Sequence, residues 1–181
     1  MRSDNFLLEA VRNRDKNALV GIFDLYSSPL YNYAMRLCGD PLEADNIVGD
    51  VFVKFLEQLS AGHGPDANLR SYLYQMTYHV FVDEVRISRR EAPLEVVEFM
   101  PGKGNTLLAS LENRVLIDTL LLAIRNDLTE DQRHVIILRF LEEFSLRETA
   151  QIIGKDVQNI KVIQNRGIAK LRKILDHKVS R

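Results

Sequence analysis

The chain has 181 residues, 46% of them apolar and 27% charged, a composition too hydrophobic for a disordered chain. No uncharged run reaches the 18 or more residues needed to span a bilayer, and Glu9 and Arg12 interrupt the N-terminal stretch where a secretory leader would be apolar. The single cysteine, Cys38, excludes an internal disulfide framework and a cysteine-built zinc site. The expectation is a cytoplasmic protein with no membrane insertion and no cofactor, in one ordinary domain or two small ones.

The net charge of −1 conceals an asymmetry. From Ser145 to Arg181, nine Lys and Arg stand against three acids, so the tail carries +6 and the rest of the chain −7. Such a split points to one end meeting nucleic acid and another part meeting a different surface, although a solvated basic helix has the same charges. Aromatics divide the other way, with eleven of fourteen between Phe6 and Phe81. Two domains of different content follow.

Helical periodicity runs through nearly the whole chain, and bounded alternating runs of the strand type are absent. Residues 17–37 carry apolar positions at Leu19, Ile22, Phe23, Leu25/Tyr26, Leu30, Tyr33/Ala34 and Leu37, with Pro29 expected to break or restart the helix. Gly39-Asp40-Pro41 is a turn. Residues 44–59 form the clearest helix, with Ala44, Ile47/Val48, Val51/Phe52, Phe55/Leu56 and Leu59 on one stripe. Ser60 to Asp66 reads as an exposed loop. A third helix spans about 67–90 and ends in Arg86, Arg89 and Arg90, cations that suit a helix C-terminus. Residues 91–110, with two prolines and two glycines, read as a linker. Helicity resumes at about 111–126. Thr129 with Gln132 then forms a capping box ahead of a helix carrying Val135, Ile136, Leu138 and Phe140/Leu141.

The last two helices hold most of the chemistry. A short helix, 145–153, a turn at Gly154-Lys155-Asp156 and a long helix from Val157 form the pattern of a helix-turn-helix. Ile160, Ile163/Gln164, Gly167/Ile168, Leu171 and Ile174/Leu175 make its buried stripe. The opposite face shows Gln158, Asn159, Lys161, Val162, Asn165 and Arg166. These are the types that read a major groove: Arg for guanine, Asn or Gln for adenine, an exposed aliphatic for a thymine methyl. An αα-hairpin within a bundle is the alternative, and the basic tail favours DNA.

These residues resemble region 4 of the extracytoplasmic-function sigma factors of bacterial RNA polymerase. The pattern runs Leu128, Gln132-Arg133, Leu138-Arg139, Phe144-Ser145-Leu146, Glu148-Thr149-Ala150, Ile153-Gly154, Ile160-Lys161, Arg166 and Leu171-Arg172. The first half is similar to region 2 of the same family. Tyr31 to Asp40 matches its early helix, Ala44 to Val48 with Asp50 to Lys54 its polymerase-binding helix, and Ser71 to Tyr74 through Asp83 and Arg86 its promoter-melting helix. The chain departs from the pattern at Gly49, Tyr72, His79, Asn159, Val162 and Gly167, where the family usually has Gln, Trp, Asn, Thr, Ser and Ala. Gly49 costs roughly 1 kcal/mol in a helix interior relative to Ala.

The resemblance implies an all-α protein of two small helical domains: region 2 at 1–90, a linker at 91–110, and region 4 at 111–181. It implies core RNA polymerase and promoter DNA as partners, an anti-sigma factor as regulator, and no enzymatic activity. Polymerase would dock on the polar face of the 44–59 helix, at Asn46, Asp50, Lys54 and Glu57. That face fits the residues themselves, since Asp40 to Asp66 holds six acids and one Lys, a strip suited to a basic protein partner. The −10 element would meet His63, Tyr78, His79, Arg86, Arg89 and Arg90, because holding melted DNA requires aromatic platforms and backbone cations. The −35 element would meet the six exposed helix-turn-helix residues. Tyr72 reads as core, and His63, His134 and His177 as surface or satisfied residues.

Enzymatic readings lack their motifs. His79 and Asp83 at i, i+4 could hold a metal, but no second pair completes a site, and there is no phosphate-cradling loop or nucleophile elbow. Two alternatives remain: a sigma mimic that sequesters an anti-sigma protein, and a dimeric helix-turn-helix repressor, which would leave the acidic first half unexplained.

Overall fold

A computed structural model of the chain describes residues 15–65, 67–91 and 111–179 together with Glu9, with side chains placed in 15–65, 67–84 and 117–176. Residues 92–110 of the expected linker lie outside the described residues. Every element of the described residues is helical.

Three long helices build the first half. α1 spans Lys16–Cys38, α2 Pro41–Ser60 and α3 Leu69–Glu91. Asp15 caps α1 by accepting the Asn17 N–H at 2.8 Å. Gly39, at φ +80°, ends it in the left-handed conformation that glycine adopts without strain. One residue on, Asp40 accepts the N–H groups of Leu42 and Glu43 at 2.8 and 3.0 Å, and Pro41 takes the first helical position. Three residues thus stop one helix and start the next, and α2 begins three residues earlier than its apolar stripe alone indicates.

Pro29 does not break α1. The helix runs through it, and the carbonyl left without a helical partner by the missing N–H is that of Leu25, a residue on the exposed side of the helix. Ile22, Tyr26, Leu30, Tyr33 and Leu37 of α1, Ile47, Val51 and Phe55 of α2, and Leu69, Leu73, Tyr74 and Phe81 of α3 are buried together. Tyr72 lies at the margin of this core rather than inside it, half-buried with its ring 6.2 Å from Phe55.

The second half comprises α4 (Leu111–Asp127), α5 (Glu130–Ile136), a π-helical turn (Ile137–Leu141), α6 (Leu146–Ile153) and α7 (Val157–Val179). Thr129 and Gln132 form the expected capping box at α5. The π turn was not legible in the sequence. It inserts an extra residue into the helical register, and Phe140, expected on the buried stripe, is half exposed in consequence.

The two halves share one hydrophobic core. Its seam is polar. The Glu142 carboxylate, buried after the π turn, pairs with Arg36 of α1 and accepts the Tyr74 hydroxyl of α3 at 2.6 Å. Arg70 of α3 donates to the Glu142 carbonyl at 2.5 Å, and its guanidinium lies 4.0 Å from the Phe144 ring centre. Arg133 and Arg125 donate to the Leu37 and Met35 carbonyls at the end of α1, at 3.2 and 3.4 Å. A Cβ at Gly39 would meet only the far end of the flexible Arg125 side chain, so the positive φ is what selects glycine there.

His134 is the innermost polar group of the seam. It is fully buried, neither at the surface nor fully satisfied: Nδ1 shares a 2.8 Å hydrogen bond with the Tyr33 hydroxyl, while Nε2 has no hydrogen-bond partner. The rings of Tyr33, Tyr78 and Phe81 surround it at 4.7–6.0 Å.

Burial, with Arg133 adding to it, lowers the His134 pKa to about 3. In the unfolded chain a histidine titrates near 6.5. Between these values the unfolded state binds a proton that the native state refuses. This contribution is therefore complete above about pH 6.5 and is lost on acidification, at up to about 1.4 kcal/mol per pH unit. Urea midpoints measured from pH 7 to 5 should fall with acidification, and His134→Phe should flatten that slope. A slope unchanged by the substitution would place the acid sensitivity elsewhere.

Candidate nucleic-acid and polymerase interfaces

The helix-turn-helix is set by three caps. Ser145 and Glu148 satisfy each other's backbone N–H groups at 2.8 and 3.2 Å, opening α6. Hydrogen bonds to the Glu148 carboxylate from the Ser145 hydroxyl and from its backbone N–H hold the Glu148 carboxyl below its ordinary range. Gly154 closes α6 at φ +73°. Asp156 opens α7, its carboxylate accepting the Asn159 N–H at 2.9 Å and the Asn159 side-chain amide at 2.5 Å. Lys155 in the turn pairs with Asp131 of α5 at 3.2 Å, which fixes the turn to the body.

α7 is then seated by Ile160 and Leu171, both buried, and by Gly167, where a Cβ would come within 3.1 Å of Ile136. Gly167 lets α7 lie close on α5. The opposite face is open: Gln158, Asn159, Lys161, Val162, Asn165 and Arg166 are all exposed. Arg166 does not join the buried stripe despite its neighbour Gly167. Asn159 has its amide engaged by Asp156, so its side chain is oriented by the cap rather than free to rotate.

On α2, Asn46, Asp50, Lys54 and Glu57 are exposed. Exposed aliphatics accompany them: Leu42 at 71%, Val53 at 54% and Leu56 at 45% relative exposure. Leu56 was expected on the buried stripe. A row of acids with exposed aliphatics is a better protein-docking surface than acids alone, because the apolar groups contribute burial and the charges orientation.

The proposed −10 residues divide. His63 and His79 are exposed. Tyr78 is half-buried, its ring 4.7 Å from His134 and 5.5 Å from His79. Of the remaining three, Arg86, Arg89 and Arg90, the backbone is helical and the side chains lie outside the described residues, as does that of His177. The inner face of α3, with Tyr74, Thr77 and Phe81, is buried. Sequence reasoning missed Arg36, Arg70 and Glu142, since nothing in spacing distinguishes a carboxylate that will be buried from its exposed neighbour Glu143.

His79 and Asp83 are both exposed, and among the described residues no group of three or more His, Cys, Asp or Glu side chains could hold a metal ion. Among those residues, too, no helix is long and apolar enough to cross a membrane.

Comparison with known proteins identifies the family of both halves of the chain. Residues 22–91 match the family model of sigma-70 region 2, and residues 126–173 that of sigma-70 region 4. The chain is 25% identical over 175 residues to the ECF RNA polymerase sigma factor BldN of Streptomyces coelicolor, covering 93% of this chain but only 64% of that longer protein. It is 24% identical over 178 residues to the ECF RNA polymerase sigma factor SigW of Bacillus subtilis, covering 93% of this chain and 94% of SigW. The fold is that of the sigma factor RpoE from Bartonella quintana, solved in complex with the anti-sigma factor NepR. That likeness has a TM-score of 0.69 and 24% identity, and covers 86% of this chain and 95% of that one. It is equally that of CnrH in complex with the cytosolic domain of CnrY, with a TM-score of 0.71 and 21% identity over 97% and 98% of the two chains. With regions 2 and 4 present in order over more than half of its length, the chain belongs to the sigma-70 family, among the extracytoplasmic-function sigma factors.

Proposed function

We propose that this protein binds core RNA polymerase and directs it to particular promoters, with residues 1–90 docking on polymerase and opening the −10 element. Residues 111–181 read the −35 element, and residues 91–110 join the two. The observation that carries the reading is the division of α7 into one face seated on the body and another, Gln158 to Arg166, exposed with base-reading side chains. Polymerase docks on the α2 face at Asn46, Asp50, Lys54 and Glu57. A protein inhibitor of the anti-sigma class is the regulator, the class named in the structure of the similar RpoE.

On this reading the closed seam is a resting state. Elements centred at −10 and −35 are about 25 base pairs apart, or about 85 Å along B-form DNA. A compact chain of this length is roughly 40 Å across. The two reading surfaces span that separation only once the halves part, and parting also uncovers the aromatic inner face of α3. Polymerase, by holding both halves, supplies the free energy of opening and the affinity for DNA that the free protein, with its net charge of −1, lacks.

Three measurements test this. Asp50→Lys with Glu57→Lys replaces attraction by repulsion on the docking face, and pull-down of core polymerase should drop sharply while circular dichroism stays unchanged. Undiminished pull-down rejects the assigned face.

Arg166→Ala should strongly impair transcription from duplex promoters, since a bidentate base contact is worth about 1–3 kcal/mol of discrimination. It should matter little on a template already mispaired at −10. His79→Ala should instead reduce holoenzyme binding to a single-stranded −10 oligonucleotide. Identical defects on all templates would contradict the division between the halves.

Energy transfer between labels at Asn32→Cys and Ala169→Cys, both exposed positions, reports the separation. Cys38 is a poor competitor for labelling, because burial raises its thiol pKa to about 11. Transfer should fall when core polymerase is added, and Glu142→Ala should lower it without polymerase. Transfer that is constant in both experiments would mean the halves act as one body.

A further inference from the structure

Gly49 lies in the middle of α2 for no reason internal to this chain. Its backbone is helical, the left-handed glycines being Gly39, Gly62 and Gly154. A Cβ added there would meet nothing within 4 Å, so no neighbour requires its absence. In a helix interior, glycine is destabilising by roughly 1 kcal/mol relative to alanine. What it does is leave bare backbone in a cleft of about 450 Å³ between α1 and α2.

The cleft has a defined chemistry. Val48 and Ser27 line it beside Gly49, Phe23 and Tyr31 supply aromatic faces from α1, and Asp45 supplies a carboxylate from α2. Phe23 is half exposed and held in place by Phe52, the ring centres 4.8 Å apart. Asp45 is exposed and close enough to Tyr31 that, after partial burial, its negative charge helps raise the hydroxyl's pKa. Six acids and one Lys lie between Asp40 and Asp66. Of these acids only Asp45 lines the cleft, and a single carboxylate beside two aromatic rings in a mainly apolar surround suits a planar cation. A guanidinium stacks on a ring face while forking onto a carboxylate, which a compact ammonium does less well.

We propose that this cleft receives an arginine side chain of core RNA polymerase, its guanidinium against the Phe23 or Tyr31 ring and bonded to Asp45. The proposal rests on the docking reading above and deepens it: Gly49 is the opening that admits the arginine, rather than a contact that has been lost.

The two views of Gly49 make opposite predictions for Gly49→Gln. If a contact has been lost, glutamine restores it and affinity for core polymerase rises. If the cleft is a receptor, glutamine fills it and affinity falls. Binding of the full chain to purified core polymerase should weaken at least tenfold for Gly49→Gln and several-fold for Asp45→Asn. The melting temperature of Gly49→Gln should be unchanged or higher, as glutamine is the better helix former. Wild-type or tighter binding by Gly49→Gln overturns the proposal. Should that variant instead melt lower, Asp45→Arg decides, since it sets a cation at the rim of an exposed position, and undiminished binding then overturns the proposal. The Asp50→Lys, Glu57→Lys double variant run alongside separates the two levels. If it alone abolishes binding, the docking face stands and the cleft does not; if neither it nor the cleft variants weaken binding, both fall.

Discussion

A carboxylate buried at the junction of two domains is costly unless charges and donors meet it, and Glu142 is met almost wholly from the other half of the chain. Arg36 comes from α1 and Tyr74 from α3, while Arg70 of α3 bonds the Glu142 carbonyl. Removing either partner would leave a charge in a low-dielectric setting, a loss of about 3–5 kcal/mol for a typical buried pair. The same arrangement adds little net stability over an apolar seam. What it supplies is orientation, since only one placement of α1 and α3 against the π turn satisfies the carboxylate.

That placement determines which surfaces are available. The exposed polar face of α7 and that of α2 both look outward, whereas the inner face of α3 is closed against the second half. The seam is polar as well as apolar, with Arg125 and Arg133 bonded to carbonyls at the end of α1 and His134 bonded to Tyr33. Polar contacts of this kind exchange for water at moderate cost, whereas a purely hydrophobic seam of equal area would resist parting. On the proposed reading, in which the halves separate to act, the former suits the protein better.

Departures from the family pattern fall into two physical kinds. Gly167 sits against a neighbour, since a Cβ there would come within 3.1 Å of the Ile136 side chain, which would have to give by a few tenths of an ångström. Gly49 does not, since its Cβ would stand in open space. At Asn159 the side chain is tied to Asp156, which orients it ahead of any partner. Tyr72, in place of a larger ring, reaches only the edge of the core near Phe55.

The sequence by itself determined the helices, local capping devices and the exposed polar face of α7, because each depends on contacts a few residues apart. Thr129 with Gln132, Ser145 with Glu148, and Gly39-Asp40-Pro41 are local devices, and helical period alone separates Ile160 and Leu171 from Asn165 and Arg166. Where local rules compete with environment, the sequence was insufficient. Pro29 stays within a helix, where the carbonyl it leaves unpaired belongs to an exposed residue, and Phe140 turns outward where a π turn shifts the register. Only the tertiary structure decided that the two halves close on one another, that Glu142 and His134 are buried between them, and that Tyr78 rests on His134 at its edge. Those facts join residues as far apart as Tyr33 and His134, or Arg36 and Glu142. No periodicity encodes such pairs, because the energy that selects them exists only after both partners have lost their water.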